Sequence, residues 1–229
     1  MTQPMIDPAK KPFDAVIFDL DGTLLDSLQD IGNAANEVLT QLGLPPRSLE
    51  DYRTLVGDGV SVLFQRAIPE CAQDEILRAR CIKGFEATYA QQWNRHSRAY
   101  DGIDPLLEAL RRADVPMAVL SNKPEAFTQQ CVAHFFPKTP FAFVFGHSER
   151  FPRKPDPTSA NWIAQALHVQ PSSVAYVGDT DTDMKTAVGA GFHAIGVTWG
   201  FRTEAELVAH GAHVAIHTPH GLQQYLLQN

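Results

Sequence analysis

The sequence predicts an α/β fold: a parallel sheet with helices on both faces and an all-helical segment inserted after the first strand. Two patterns indicate it. Short apolar runs alternate with helical stretches from residue 99 onward, and a long helical segment without strand signals precedes them. The chain has 229 residues and is 44% hydrophobic, which is enough for one large domain or one domain with an insertion.

The first predicted strand covers residues 15–18, a continuous apolar run typical of a sheet buried on both faces. Helical patterns then fill residues 27–98, which we name the helical block. Ser27 is expected to cap its first helix. The other boundaries predicted in the block are Gly43 as a helix end, Ser48 with Asp51 as a helix start, and helices over residues 60–68 and about 73–96.

The pattern changes after the helical block. Apolar runs cover residues 117–120, 142–145, 174–177 and 194–197, and helical stretches cover residues 104–113, 124–135, 156–168, 181–190 and 203–210. This alternation predicts a catalytic core of residues 1–26 and 99–229, interrupted by the helical block at 27–98. In open parallel sheets, ligands bind at the carboxyl ends of the strands, so we expect the site there.

Polar residues of a consistent chemical kind follow the predicted strands. Carboxylate oxygens are the ligands that Mg²⁺ prefers, while hydroxyl, amide and ammonium donors suit phosphoryl oxygens. The strand-end residues, together with a lysine that precedes a later helix, are Asp19, Asp21, Thr23, Ser121, Asn122, Asp179, Asp183 and Lys154. They predict a combined metal and phosphate site.

Each segment also has a plain structural interpretation, as a turn or a helix start. Four of them in this order favour function. The acidic stretch from Asp179 begins like an EF-hand loop, but Met184 and Ala190 stand where that loop needs Gly and Glu. The sequence also contains no GxxxxGK[ST] string, so a P-loop is excluded.

Composition narrows the class of protein. The net charge is −7 with a pI near 5.7, which argues against binding to nucleic acid or an anionic membrane. No apolar run approaches the ~18 residues that span a bilayer, and the polar N-terminus does not resemble a signal peptide. Three cysteines without CxxC spacing indicate reduced thiols. We therefore expect a soluble cytoplasmic protein.

Taken together, the first-strand motif Asp19–Thr23, Ser121, Lys154 and Asp179 with Asp183 resemble the four motifs of the haloacid dehalogenase-like superfamily. The resemblance covers nearly the whole chain. It implies a Rossmann-like core, a helical cap formed by the helical block, Mg²⁺ as cofactor and a small phosphorylated metabolite as partner. Three further stretches resemble the phosphoglycolate phosphatase branch and imply 2-phosphoglycolate as substrate: residues 56–60, 121–124 and 196–202.

The resemblance also implies roles. Asp19 would attack phosphorus and form an aspartyl-phosphate, and Asp21 would act as general acid and then as general base. The implied metal ligands are the Asp19 carboxylate, the Asp21 main-chain carbonyl and Asp179, with Asp183 close by or binding through water. The implied phosphate donors are Ser121 and Lys154, supported by Thr23 and Asn122. Asp21 argues against dehalogenation, since dehalogenases of this superfamily lack it.

Several alternatives stay open at this point. The enzyme could hydrolyse pyrophosphate or a sugar phosphate, or act as a phosphomutase. A non-catalytic binding module is disfavoured by the intact motif set, and Lys83 has no motif that supports a Schiff base. Gly57, Asp58 and Gly59 could bind substrate or form a plain turn. Arg53 and Arg66 could pair with a substrate carboxylate or face solvent. No oligomeric state is predicted.

Overall fold

The structure is a computed structural model and describes residues 12–228. The predictions for the N-terminal stretch, and for the first eleven residues of the core segment 1–26, lie outside the described residues. The strands are β1 Ala15–Phe18, β2 Leu25–Asp26, β3 Arg98–Ala99, β4 Met117–Pro124, β5 Phe143–His147, β6 Val174–Gly178, β7 His193–Val197 and β8 Val214–Ile216. The α-helices are α1 Leu28–Gln41, α2 Leu49–Leu55, α3 Val60–Ala67, α4 Glu75–Gln92, α5 Ile103–Arg112, α6 Glu125–Phe135, α7 Thr158–Ala166, α8 Asp181–Ala190, α9 Glu204–Ala209 and α10 Pro219–Leu227.

Six strands form a parallel sheet in the order β5-β4-β1-β6-β7-β8. The predicted α/β class is confirmed. Side chains alternate across β1: Val16 and Phe18 join one hydrophobic cluster, and Ile17 joins the other. Buried residues of α5, α6 and α10 belong to the first cluster, and those of α7, α8 and α9 to the second. Both faces of the sheet are therefore covered, as the continuous apolar strand predicts.

The helical block contains α1–α4, which pack around large buried side chains. Its second helix begins with the capping box predicted for Ser48 and Asp51. The last helix is shorter than predicted. Asp74 caps its start, and at its far end the Asp30 carboxylate accepts hydrogen bonds from the backbone N–H groups of His96 and Ser97 at 2.9 and 2.8 Å. These hydrogen bonds to Asp30 hold the chain after the helix in the direction of β3.

Strands β2 and β3 pair antiparallel on either side of the helical block. Asp26 forms an ion pair with Arg98 across them, with 3.1 Å between Oδ2 and Nη2. Ser27 occupies the N-cap position of α1, as predicted, but its side chain makes no cap hydrogen bond. Its hydroxyl instead donates to Asp21 Oδ1 at 2.5 Å.

Other boundaries differ from the predictions. Helix α7 begins at Thr158 and not at Asp156, whose carboxylate instead accepts from the Thr158 backbone N–H at 2.9 Å. Strand β8 and helix α10 were not predicted. The strand has three half-buried residues at the sheet edge, too few for a periodic signal. Within residues 12–228, no helix is both long and apolar enough to cross a membrane.

Candidate active site

The polar residues predicted at the strand ends meet at one edge of the sheet. Strand β1 lies between β4 and β6. Asp19 therefore emerges beside Ser121 of β4 on one side and Asp179, just after β6, on the other. The Asp19 backbone N–H donates to Val177 O at 2.9 Å, which keeps the ladder intact up to the site. Pairing of the strands, and not proximity in sequence, assembles the site.

Three buried carboxylates lie at this edge: Asp19, Asp179 and Asp183. One oxygen from each lies within 4.8 Å of the others. Lys154 Nζ donates to Asp19 Oδ1 at 2.8 Å and to Asp183 Oδ1 at 2.7 Å. It also donates to Leu120 O at 2.9 Å, so its three N–H groups all have acceptors. Lys154 is a fixed positive charge inside the cluster.

Burial controls protonation in this cluster. Loss of hydration raises the pKa of Asp19 to about 7; the Lys154 ammonium opposes the rise and the Asp183 carboxylate adds to it. Burial also raises the pKa of Asp179, with Asp19 and Asp183 adding to the effect. Burial alone would lower the pKa of Lys154, but Asp183 and Asp19 outweigh it and raise that pKa. Three carboxylates share one ammonium, so the cluster favours a further cation.

Asp179 is held in a fixed orientation. Its Oδ1 accepts from the Thr23 hydroxyl at 2.8 Å and its Oδ2 from the Phe201 backbone N–H at 2.8 Å. Gly22 and Gly200 approach the carboxylate so closely that a Cβ on either would overlap it. The requirement for glycine at both positions shows that backbone encloses this carboxylate on two sides. Thr23, predicted as a supporting phosphate donor, donates its hydroxyl to Asp179 in this structure.

Asp183 has two structural partners. With Thr180 it forms the capping box of α8, in which its Oδ2 accepts from the Thr180 backbone N–H at 3.0 Å and from the hydroxyl at 2.6 Å. Its Oδ1 accepts from Lys154. Both oxygens are thus occupied, so Asp183 anchors Lys154 and the start of the helix.

Asp21 lies beside the cluster with different partners. Its carboxylate accepts from Ser27 and from Lys123 Nζ, at 3.1 and 3.0 Å to its two oxygens. Lys123 belongs to β4, and its ammonium also donates to the hydroxyl of Tyr89 on α4 at 2.7 Å. This chain of contacts joins the sheet edge to the helical block. Neither Lys123 nor Tyr89 was singled out from the sequence as a site residue.

Ser121 and Asn122 both lie at the end of β4. The Ser121 side chain is buried beside the cluster, and its Oγ accepts from the Lys123 backbone N–H at 3.3 Å. Asn122 is a connector. Its amide donates to Gly57 O at 3.2 Å and to Lys154 O at 3.1 Å, and its Oδ1 accepts from the Lys154 backbone N–H at 3.0 Å. Asn122 thus links β4 to the helical block and to the Lys154 loop.

The loop between α2 and α3 faces the sheet edge. Gly57 and Gly59 have φ values of 117° and 87°, in the region that favours glycine, and both line the cavity described below. Asp58 does not line it. Its carboxylate pairs with Arg66 at 2.5 Å and accepts a short hydrogen bond from the Thr182 hydroxyl. Asp58 therefore ties the loop to the start of α8.

The two arginines predicted as partners for a substrate carboxylate are engaged elsewhere. Arg53 donates to Gly200 O at 2.7 Å and pairs with Glu50 at 3.1 Å. Arg66 pairs with Asp58 and is half-exposed. Neither arginine lines the cavity. Both bind main chain or acidic side chains around the α2–α3 loop.

A cavity of about 50 Å³ lies between the sheet edge and the helical block. Asp19, Asp21, Ser121, Asn122 and Lys123 form its polar floor. Its apolar walls come mainly from Val56, Val60, Leu63, Phe85, Phe127 and Phe201. The cavity therefore has a charged end at the carboxylate cluster and an apolar end under the helices. Asp19 and Asp21, which follow β1, lie between the two ends.

Known proteins resemble this chain in sequence and in fold. The family model of the haloacid dehalogenase-like hydrolases matches residues 16–197. The chain belongs to this family. A phosphoglycolate phosphatase of Vibrio parahaemolyticus is 35% identical over 192 residues, covering 81% of this chain and 84% of that protein. One of Vibrio vulnificus is 31% identical over 221 residues, covering 93% and 92%.

A solved structure from Lactobacillus delbrueckii subsp. bulgaricus superposes with a TM-score of 0.88 at 31% identity, covering 96% of this chain and all of that one. These findings confirm the predicted superfamily and identify the chain as a hydrolase. They also agree with the α/β sheet and its helices.

In this haloacid dehalogenase-like hydrolase, the carboxylate cluster suits a divalent cation. All three candidate donors are hard oxygen ligands. Burial, with added repulsion between the carboxylates, raises the pKa values of Asp19 and Asp179, and a bound cation would offset both effects. All three carboxylates already accept hydrogen bonds, and each of their oxygens keeps a further lone pair with which it could bind a cation.

The hydrolase also contains site residues that sequence reasoning missed. Lys123 was recognised only as part of a stretch that begins a helix, yet its side chain is 5% exposed and pairs with Asp21. One signal was available: β4 continues through Lys123 in a run of buried residues, where a lysine needs an anionic partner. Tyr89 gave no comparable signal, because its partner is distant in sequence. Ser27 gave none, because the sequence pattern assigned it to a helix cap.

Proposed function

We propose that this protein is a Mg²⁺-dependent phosphatase that hydrolyses a small phosphomonoester, 2-phosphoglycolate, through an aspartyl-phosphate on Asp19. The observation that carries the proposal is the juxtaposition of two unlike carboxylates at the end of β1. Asp19 is buried in the cluster with Lys154, whereas Asp21 faces the cavity beside Lys123. One is placed to attack phosphorus, and the other to move a proton at the leaving group.

In the first step an Asp19 carboxylate oxygen attacks phosphorus and the bond from phosphorus to the ester oxygen breaks. Lys154 holds Asp19 Oδ1, so the other oxygen of the carboxylate is the one free to attack. Ser121 lies at the end of the adjacent strand and would donate its hydroxyl to a phosphoryl oxygen. Asp21 gives its proton to the departing alkoxide, which leaves as the alcohol.

In the second step, water attacks phosphorus of the aspartyl-phosphate. Asp21 takes the proton from that water, and the bond from phosphorus to Asp19 breaks and releases phosphate. Ser27 and Lys123 hold the Asp21 carboxylate at the cavity in both steps. The same side chain thus serves as acid and as base. General acid–base catalysis typically raises the rate by about 10²–10⁴-fold.

Mg²⁺ would be held by the Asp19 carboxylate, Asp179 and the Asp21 main-chain carbonyl, with Asp183 next to them. When bound, it would supply positive charge that offsets repulsion between the Asp19 carboxylate and the phosphate. Thr23 and the Phe201 backbone N–H fix Asp179 for this task. The presence of buried carboxylates with raised pKa values supports this assignment.

We further propose that the helical block, residues 27–98, acts as a cap that shields the site from water. Its contacts with the core through Tyr89, Gly57 and Asp58 support this role. The substrate is proposed from the relatives, which carry the name phosphoglycolate phosphatase. A cytoplasmic location is proposed from the three cysteines, all of which are free thiols.

Phosphate release from a panel of phosphoesters tests the proposal. With Mg²⁺ present, 2-phosphoglycolate is expected to give the highest kcat/KM in a panel that also contains pyrophosphate and a sugar phosphate. Asp21→Asn, given an aryl phosphate whose leaving group needs no protonation, is expected to trap the intermediate, visible in the intact mass as one added phosphoryl group. Isomerised sugar phosphate without net phosphate release would show a mutase instead, and no hydrolysis of any ester would show a binding module.

A further inference from the structure

The cavity contains one cationic side chain among the described residues that line it, Lys123. The arginines of the helical block are turned away: Arg53 binds Gly200 O, and Arg66 binds Asp58. Lys154 lies behind Asp19, with all three donors used. A substrate whose leaving group carries an anion therefore meets only one candidate partner on the leaving-group side.

We propose that Lys123, held in place by Tyr89, binds the carboxylate of the leaving group and so sets the preference for an α-carboxylated phosphoester. This rests on the proposed phosphatase function and deepens it. Arg53 and Arg66 were considered from the sequence either as partners of a substrate carboxylate or as solvent-facing side chains; we propose a lysine of the core in their place.

The position of Lys123 fits the connectivity of such a substrate. Its Nζ lies 3.0 Å from Asp21 Oδ2, and Asp21 must reach the ester oxygen to protonate it. In 2-phosphoglycolate the ester oxygen is separated from the carboxylate carbon by one CH₂ group. A cation next to the proton donor is therefore within contact distance of the carboxylate when the ester oxygen is at Asp21.

The ammonium can exchange one of its acceptors for a substrate carboxylate. It carries three N–H donors. Within residues 12–228, its acceptors are the two oxygens of Asp21 at 3.1 and 3.0 Å and the Tyr89 hydroxyl at 2.7 Å. A single oxygen of Asp21 is enough to keep the ion pair, so the donor on the other oxygen can turn to the substrate carboxylate. Tyr89 also places its ring 4.5 Å below Nζ, which limits the rotamers that Lys123 can adopt.

Because the surrounding walls are apolar, Lys123 is the cationic partner among the lining residues that an anion in the cavity can reach. Val60, Leu63, Phe85 and Phe127 also line the cavity and offer no hydrogen-bond donor from their side chains. An anion placed there without a partner loses its hydration with no replacement. The small, apolar space disfavours a sugar for the same reason, since its hydroxyl groups would also lose hydrogen bonds to water.

Two substrates and one substitution test the proposal. The substrates are 2-phosphoglycolate and 2-hydroxyethyl phosphate, which replaces the carboxylate with an uncharged CH₂OH group. Lys123→Met is expected to lower the ratio of kcat/KM for the first substrate over the second by about 10- to 150-fold, the range that a hydrogen bond to a charged group contributes. Inhibition by the product glycolate should weaken in parallel, while inhibition by inorganic phosphate should change little.

Lys83→Met, which removes an exposed lysine of α4, is the matched control and should leave both the ratio and the rates unchanged. Tyr89→Phe keeps the ring and should lower the same ratio by a smaller factor. If Lys123→Met does not fold, Lys123→Gln gives the same measurement with a polar side chain. Equal losses on both substrates would overturn the proposal, because they would show that Lys123 acts through Asp21 alone.

The proposed function fails separately. Wild-type protein that releases phosphate from neither substrate would refute the phosphatase, and this proposal with it. Wild-type protein that hydrolyses both substrates, combined with an unchanged ratio in Lys123→Met, would refute the role of Lys123 and leave the phosphatase standing.

Discussion

The edge of the sheet is rich in charged and polar side chains, whereas the face of the helical block that covers it is apolar. At the sheet edge, Asp19, Asp179 and Lys154 are buried and each has fixed polar partners. The facing side of the helical block is apolar, with Val60 and Phe85 among its lining residues. Under the proposed function, the sheet edge would carry out the chemistry and the helical face would limit which leaving group fits.

Several polar contacts join the two regions, among them those of Arg53 with Gly200 O and of Arg202 with Val56 O. Tyr89 reaches Lys123, Gly57 O accepts from Asn122, and Asp58 accepts from Thr182. Substitutions at the sheet edge should therefore remove catalysis or stability outright. Substitutions on the helical side should change rate or preference more gently. The following predictions test that difference, from the largest expected effect to the smallest.

Asp19→Asn should lower kcat by about 10⁴-fold or more, because it removes the nucleophile while keeping the shape of the side chain. The assay is phosphate release with Mg²⁺ present. Asp14→Asn is the matched control: Asp14 precedes the same strand, is exposed, and should retain full activity. Near-normal turnover in Asp19→Asn would contradict the assignment of the nucleophile.

Lys154→Met should destabilise the fold by about 3–5 kcal/mol at pH 8, because it leaves the buried carboxylates of Asp19 and Asp183 without their ion-pair partner. Denaturant unfolding of metal-free protein measures the loss. Lys185→Met is the control, since Lys185 pairs with Asp181 on the surface at 2.7 Å and such pairs contribute about 0–1 kcal/mol. Similar losses in the two variants would mean that burial of the cluster does not matter.

Metal-free protein should lose stability as pH rises from about 4 toward about 7. In the folded state burial raises the pKa of Asp19 from 3.8 to about 7, so between these values the folded state binds the proton that the unfolded state has released. Stability from this group is fully present below the unfolded pKa and is lost as pH rises through the folded pKa. The slope is at most about 1.4 kcal/mol per pH unit for one proton.

Comparing wild type with Asp19→Asn isolates this dependence, since the amide does not titrate. The free energy of unfolding is measured in chelator across pH 4.5–8. The difference between the two proteins should shift steadily in favour of Asp19→Asn as pH rises, and Mg²⁺ should reduce that shift. A difference that stays constant with pH would exclude the raised pKa.

Gly59→Ala should cost about 1–2 kcal/mol of stability, because Gly59 has φ of 87°. It should also lower kcat/KM, since the new Cβ would lie 3.2 Å from Asn122 O at the contact between the two regions. Gly43→Ala is the matched control: Gly43 has φ of 72° with no atom near the new Cβ, so it should lose similar stability and keep full activity. Equal activities in the two variants would show that the α2–α3 loop does not shape the site.

Much of the catalytic edge could be predicted from the sequence, because each of its residues follows directly from a buried strand. Asp19 and Asp179 are 160 positions apart, but parallel strands align their ends, so two short apolar runs were enough to place both carboxylates at one edge. Ser48 with Asp51 was predictable for a different reason, since a capping box is local to four residues.

The helical side was less predictable. From the sequence, Arg53 and Arg66 could pair with a substrate carboxylate or face solvent, and the structure shows both bound to nearby acceptors. Whether a surface arginine faces a cavity depends on how helices pack, which no local pattern specifies. Ser27 was placed at the N-cap position correctly, but no local pattern showed that its hydroxyl donates to Asp21, six residues earlier, and makes no cap hydrogen bond.

By itself, the sequence determined the fold class, the polar residues that follow each strand, and the cluster of carboxylates around Lys154. Each of these depends on periodicity or on the position of a strand end. Only the tertiary structure decided that Lys123, and not an arginine of the helical block, faces the cavity. The reason is physical: the contact of Lys123 with Tyr89 joins residues 34 positions apart, and it exists only because α4 packs over the end of β4.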